Sequence, residues 1–276
     1  MKWSKDKIDI IKDNYPKFGS KYCSELLGVS ISSIQNMAYK LNLSINKNVK
    51  SNILSKSKNS TNIDFDNFIQ LNKPEIVYFL GLFWADGYMF QSKNGYNSNI
   101  GIGLVKEDME ELEIHLDKIG VWNKRISDKK NVSSWRQTKS LLTNNKRIYN
   151  FLTEMDFKEK SYKSADKILN IIPKELRHYF FRGLIDGDGC FYISKNKKQK
   201  QFTISSSIGQ DWEYVIKLFN NLNILKYSIN KNTGSNIRVV NKIDIIKLGD
   251  YIYQNYEKDK IGLSRKYEKY LMIKNG

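Results

Sequence analysis

Two stretches decide the fold: Phe79-Leu-Gly-Leu-Phe-Trp-Ala-Asp-Gly87 and Phe181-Arg-Gly-Leu-Ile-Asp-Gly-Asp-Gly189. Each is an apolar, helix-like run that ends in an acid followed by glycine. Small residues stand four apart, at Gly81/Ala85 and Gly183/Gly187. That spacing puts them on one helix face, and a small-xxx-small face lets two helix backbones approach closely. Asp86 and Asp188 fall at the helix C-termini, where the macrodipole disfavours a carboxylate by about 0.3–1 kcal/mol. Helices packed face to face bring both disfavoured carboxylates to one end of the pair. There they raise each other's pKa unless cations neutralise them, and hard divalent ions prefer carboxylate oxygens. A single copy reads equally as a buried helix closed by an ordinary Asp-Gly turn; a second copy with the same spacing favours a built site.

Working outward, the chain repeats itself from Pro74. Pro74-Glu75 leads to Tyr78 and Gly81, and Pro173-Lys174-Glu175 to Tyr179 and Gly183. A period of about 100 residues is too long for a solenoid and indicates a duplicated domain. After each acidic helix the pattern predicts a strand (88–92 or 190–194), a polar loop, an alternating strand (99–105 or 201–206) and an amphipathic helix (109–119 or 212–222). A second hairpin (123–142 or 226–240) and a closing helical, basic segment follow. The order is αββαββα in each copy, giving an α+β fold with halves at 63–172 and 173–276.

On these residues the chain resembles the LAGLIDADG homing endonucleases over roughly residues 65–273. Gly183-Leu-Ile-Asp-Gly-Asp-Gly189 is close to that family's signature; the first copy departs from it at Phe83 and Trp84, Trp84 standing in place of the earlier acid. The resemblance implies two pseudo-symmetric repeats forming a DNA-binding saddle, with Asp86 and Asp188 holding divalent metal, Mg²⁺ by the hardness of the ligands. It also implies that the carbonyls just before the acids, at Ala85 and Gly187, assist. It places a lysine near each scissile phosphate late in each repeat, where Lys158 or Lys160 and Lys258 or Lys260 stand. Lys106 and Gln210, after the second strands, are weaker candidates. His115 and His178 sit in helical, partly apolar contexts and read as structural. Self-splicing ends are not evident.

The hairpins carry side chains suited to DNA: Lys93, Asn94, Lys124, Arg125, Lys129, Lys130, Arg136 and Lys139 in the first copy. The second copy offers Lys195, Lys197, Lys198, Lys200, Asn230, Lys231, Asn232 and Arg238. A two-stranded ribbon fits the major groove, where Arg, Asn and Gln pair with base edges, while Lys mostly contacts phosphate. Any one charged hairpin reads equally as a lysine-protected sheet edge.

Residues 1–43 predict a separate module of three short helices, with Ser4, Ser20 and Ser30 as caps, a breaker over 14–19 and a tight turn at Gly28. This is the helix-turn-helix layout. Its third helix offers Ser32, Ser33, Gln35, Asn36, Tyr39 and Lys40 to a major groove. Residues 44–62 are rich in Ser, Asn and Lys and read as a flexible basic linker.

The 46 basic residues exceed the 29 acidic ones by 17, which implies a polyanionic partner, double-stranded DNA before an anionic membrane. No apolar run approaches the ~20 residues of a membrane span, and the N-terminus lacks a signal-peptide core. Cys23 and Cys190 make no metal or disulfide pattern, so a reducing, intracellular home is expected. Two repeats in one chain imply a monomer, and their divergence an imperfectly palindromic target. The readings that follow are a site-specific, Mg²⁺-dependent endonuclease making a double-strand break, a non-cleaving DNA-binding regulator, or an RNA maturase acting on its own intron RNA.

Overall fold

A computed structural model describes residues 3–46, 63–92, 98–127, 137–196 and 198–276. The chain divides into two compact units, Met1–Ser60 and Thr61–Gly276. No helix among the described residues is long and apolar enough to cross a membrane.

The first unit contains α1 (Lys5–Leu27) and α2 (Ile31–Lys40). The expected breaker over 14–19 is narrower than its sequence suggests. The helix continues through Pro16 and turns only at Gly19, where φ is 77°, because the φ fixed by proline is itself helical. Ser4 and Ser30 cap the two helices as expected, accepting from the Lys7 and Ser33 amides at 3.4 and 3.3 Å. Gly28 closes α1 in the left-handed region, φ 64°, a conformation other L residues adopt only with strain. Ile11, Tyr15, Cys23, Ile34 and Ala38 form a small core of their own.

The second unit opens with α3 (Phe65–Ile69) and then repeats one plan twice. In the first half, α4 (Pro74–Asp86) runs directly into β1 (Gly87–Gln91). Then come β2 (Ser98–Val105), α5 (Lys106–Leu116), β3 (Asn123–Ser127), β4 (Thr138–Thr143), α6 (Lys146–Glu154) and α7 (Asp166–Ile171). In the second half, α8 (Arg177–Asp188) runs into β5 (Gly189–Ile193). It is followed by β6 (Lys200–Ser206), α9 (Glu213–Asn221), β7 (Ser228–Lys231), β8 (Ser235–Val239), α10 (Lys242–Ile252), α11 (Tyr256–Asp259) and α12 (Ser264–Asn275). The two antiparallel sheets have the same strand order, β1-β2-β4-β3 and β5-β6-β8-β7.

Period-2 alternation fixes which side of each sheet is buried. In the second sheet Phe202 pairs with Phe191 and Val239, and Ile204 with Ile237, and all five are buried. The apolar rows are buried; the opposite rows carry exposed residues, Tyr88, Phe90, Cys190 and Tyr192 among them.

The central helices α4 and α8 are buried on nearly every side, from Ile76 to Trp84 and from His178 to Asp186. A helix apolar all round belongs in a core, and each fully buried Phe or Leu contributes about 1.5–3 kcal/mol. The two pack with backbone against backbone. A Cβ on Gly81 would lie 1.8 Å from the Phe180 carbonyl oxygen, and one on Gly183 2.2 Å from that of Tyr78. Trp84 and Asp186, at corresponding positions, differ in their partners. Trp84 packs edge-on to Phe157 at 4.9 Å between ring centroids, whereas Asp186 accepts from the Tyr78 hydroxyl of the other helix at 2.8 Å and from the Leu263 amide at 2.9 Å. Arg182, wholly buried, closes α10 by donating to the carbonyls of Ile252, Gln254 and Ile261 at 2.6–2.7 Å.

Candidate active site

The close packing of α4 and α8 brings their acidic ends together. Neither helix ends in an Asp-Gly turn. Gly87 and Gly189 are extended, with φ −70° and −87°, and start β1 and β5 at once. A Cβ on Gly187 would stand 2.3 Å from the Ala85 Cβ and 2.8 Å from Asp86 Oδ2, so the Asp86 carboxylate lies against the residue just before Asp188. Burial among its neighbours raises the Asp86 carboxyl above the usual range, although the residue as a whole is exposed. Asp188 is half-buried and is pushed up to about 7, by burial first and by Asp86 second. Two carboxylates so placed are short of positive charge.

Two lysines partly supply it, in the same way on each side. Lys160 Nζ donates to the Phe83 and Ala85 carbonyls at 3.0 and 2.7 Å. Lys266 Nζ donates to the Ile185, Asp186, Gly187 and Gly189 carbonyls at 2.7, 2.6, 3.4 and 2.7 Å. All but the Gly189 carbonyl, which begins β5, belong to the last helical turn, where Phe83 and Ile185 also accept from the Gly87 and Gly189 amides, and a cation there meets the negative end of the dipole. Burial brings the Lys160 ammonium down to about 8 against the opposing pull of Asp188 and Asp86. Burial also lowers Lys266, with Asp186 the main opposing charge.

Of the lysines expected here, Lys160 is in place and the others are not. Lys158 is exposed, its ammonium 4.7 Å above the Tyr149 ring. Lys258 is exposed on α11, and Lys260, turned outward by a left-handed φ of 54°, pairs with Glu257. In the second repeat the lysine at the corresponding place is Lys266, which the sequence alone did not single out. It stands 78 residues after Asp188, whereas Lys160 stands 74 after Asp86, and it lies in the first turn of α12, whereas Lys160 follows the short turn Phe157–Glu159. Gln210 also departs from expectation. It is buried, with its amide bonded to the Lys163 and Asp211 carbonyls at 3.1 and 2.9 Å, instead of facing outward. Lys106 pairs loosely with Glu110 at 3.9 Å. A cavity of about 30 Å³ between Lys160, Asp188, Ser206 and Gln210 has room for one water-sized group.

The donor set suits a divalent cation shared with a ligand. Among the described residues no cluster of three or more His, Cys, Asp or Glu could cage a metal unaided. Mg²⁺ is ordinarily held by one or two carboxylates together with substrate phosphate and water, and Asp86 and Asp188 offer two hard, charge-deficient carboxylates. The Ala85 carbonyl, already accepting from Lys160, keeps a second lone pair.

The outward rows of the two sheets flank this site. In the second sheet they carry Cys190, Thr203, Arg238 and Ser228 in register, then Tyr192 with Gln201, and Ser205 with Asn236 and Asn230. Arg238 Nε has no hydrogen-bond partner among the described residues. In the first sheet they carry Tyr88, Phe90, Asn99, Ser140 and Arg125. Of the basic and amide residues expected to face DNA, Arg125, Asn230 and Arg238 lie on these rows. Lys195, Lys198 and Asn232 are exposed in loops. Lys124 and Lys139 are on the opposite row, where they bond to Asp117, just after α5, and to Glu113 of α5 at 2.9 and 2.6 Å. Lys200 and Lys231 share that helix-side row. Lys93, Asn94, Lys129, Lys130, Arg136 and Lys197 lie outside the described residues, as does most of the expected linker. In the first unit Ser32, Gln35, Asn36, Tyr39 and Lys40 are exposed on α2; Ser33 is half-buried, its hydroxyl 2.8 Å from that of Ser30.

No protein-family model matches the chain, and no curated relative matches it. Among solved structures it is similar to the homing endonuclease I-WcaI bound to its DNA recognition sequence, at 19% identity, covering 72% of this chain and 87% of that one with a TM-score of 0.51. The I-SmaMI LAGLIDADG homing endonuclease bound to cleaved DNA aligns at 16% identity over 74% of this chain and 88% of that one, TM-score 0.47. The likeness to I-WcaI shows the fold: a pair of central helices with two four-stranded antiparallel sheets.

Proposed function

We propose that this chain is a site-specific DNA endonuclease that cuts both strands of a long, asymmetric target in a Mg²⁺-dependent reaction. The observation that carries the reading is the pairing of two charge-deficient carboxylates, Asp86 and Asp188, with a lysine at each helix end. A purely structural helix pair has no need of either. The I-WcaI structure with the same fold is bound to DNA, and the formal charge of +17 suits a polyanion.

In this reading double-stranded DNA lies along the outward rows of the two sheets. Arg, Asn and Gln there, Arg238, Asn236 and Gln201 among them, meet base edges. Asp86 and Asp188 hold the metal beneath the scissile phosphates, assisted by the carbonyls of Ala85 and Gly187. Bound metal lowers the pKa of attacking water and neutralises charge on the attacking and leaving oxygens. Lys160 and Lys266 place fixed positive charge beside the reacting phosphates. The divergence of the two sheet faces makes the half-sites unlike. The first unit, with α2 as the reading helix, adds a helix-turn-helix contact to DNA.

The test is incubation with Mg²⁺ and a plasmid carrying the uninterrupted form of the gene's insertion site. A linear product cut on both strands at one position supports the reading. Tight binding with no cut in either strand would leave a DNA-binding regulator instead.

A further inference from the structure

The two lysines are each held in place by the opposite repeat. Around Lys266, in the second repeat, the Ser264 amide donates to Glu111 Oε1 at 2.8 Å. The Arg265 guanidinium grips Asp108 with two bonds, Nε to Oδ1 at 2.7 Å and Nη2 to Oδ2 at 2.5 Å. Asp108 and Glu111 belong to α5 of the first repeat, three residues apart and so on one face. Around Lys160, in the first repeat, the Ser161 carbonyl accepts from Ser207 Oγ at 2.5 Å, and the Lys163 carbonyl from Gln210 Nε2 at 3.1 Å. Ser207 and Gln210 lie between β6 and α9 of the second repeat, which corresponds to the start of α5 in the first. Gln210 is 3% exposed, and its Oε1 accepts from Ser206 at 2.8 Å, so its amide is fixed from both ends.

We infer that these contacts are reciprocal positioning clamps: Asp108 of repeat 1 sets the position of Lys266, and Gln210 of repeat 2 sets that of Lys160. The chemistry of each strand then depends on both halves of the chain. Packing of α4 on α8 already holds the repeats together, so the clamps are not required for association. What they fix is the segment immediately next to each ammonium. A group displaced by about 1 Å from its reacting partner can lose on the order of a hundredfold in rate. Positioning by a bidentate arginine–carboxylate pair is suited to that tolerance. Gln210, which the sequence offered as a phosphate-facing residue, finds its role here instead.

This inference rests on the endonuclease reading, and its test separates the two. Cleavage of each strand is followed in one reaction on a duplex labelled differently on the two strands, with wild type, Lys160→Met and Lys266→Met fixing which strand each lysine serves. Asp108→Asn is expected to slow the Lys266 strand at least about tenfold while leaving the other within about twofold, so that a nicked intermediate accumulates. Gln210→Ala is expected to give the opposite nick. Lys217→Ala, which removes a third cross-repeat contact, to Asp166 at 2.8 Å, flanks neither lysine and is expected to slow neither strand. Loss of folded protein lowers both strand rates together, so the ratio separates the clamp from unfolding. Equal slowing of both strands by Asp108→Asn, or no slowing, overturns the clamp. Wild-type protein that cuts neither strand overturns the reading beneath it.

Discussion

Lys160 and Lys266 hold the same station at the ends of the two central helices: Lys160 Nζ lies 2.7 Å from the Ala85 carbonyl and Lys266 Nζ 3.4 Å from the corresponding Gly187 carbonyl. Each also reaches the residue two positions earlier, Phe83 or Ile185. The pseudo-twofold relation of the repeats therefore extends from the backbone to the functional side chains, although the two lysines occupy different local sequences.

Lys266→Met should reduce cleavage by at least about a hundredfold, as loss of one preorganised charge at a reacting centre does. Lys260→Met should leave it within about twofold, since an exposed ion pair such as Lys260–Glu257 is worth ~0–1 kcal/mol. Single-turnover cleavage rates decide between the two lysines, and equal losses would mean that Lys266 has no privileged role.

Gly183→Ala should destabilise the protein by roughly 3 kcal/mol, the upper end for overpacking. The added methyl meets the Tyr78 carbonyl and the Leu82 amide, both backbone and unable to move aside. Urea unfolding followed by far-ultraviolet circular dichroism measures it. A change below about 1 kcal/mol would mean that the helices tolerate separation.

How much of this could be read from the sequence follows from what each signal encodes. The paired small-residue helices were legible because Gly81, Gly183 and the terminal acids recur at one spacing, and the strands because alternation has a period of two. Which row of a strand faces out was not, since a one-residue choice inverts it. Lys124 and Lys139 look like phosphate contacts until α5 and its C-cap supply Glu113 and Asp117. Lys266 was missed because Lys258 and Lys260 share the local spacing of Lys158 and Lys160, whereas Lys266 stands in the next helix, α12. The buried Asp186–Tyr78 contact joins residues 108 apart, and no local pattern announces such a pair.

Arg238→Ala should weaken target binding and flatten its salt dependence or relax specificity at one base, at a cost of about 1–3 kcal/mol if it pairs with a guanine edge. Lys124→Ala, already neutralised by Glu113 and Asp117, should leave both unchanged. Binding isotherms at several salt concentrations compare them, and a larger loss with Lys124→Ala would reverse the assignment of the sheet faces.

Acid should destabilise the fold partly through His178. Burial first, and the Arg182 charge second, bring its imidazole down to about 4, against about 6.5 in an unfolded chain. A depressed folded pKa means that the unfolded state binds the proton first. The stability is therefore complete above about pH 6.5 and is lost as pH falls toward 4. His178→Phe keeps an aromatic ring against Tyr179, whose centroid is 4.1 Å away. Between pH 7 and 4.5 it should lose about 2–3 kcal/mol less than wild type in urea unfolding. Parallel losses in the two proteins would show that His178 does not titrate in the folded state.

The most direct measurement is double-strand cleavage by Asp188→Asn on the cognate site in Mg²⁺, alongside binding of the same duplex in Ca²⁺. The substitution keeps the shape at the helix end and removes only the charge. The paired carboxylates at the tips of α4 and α8 predict that the linear product disappears while affinity stays within a few-fold of wild type. Undiminished cutting of both strands by this variant would contradict them.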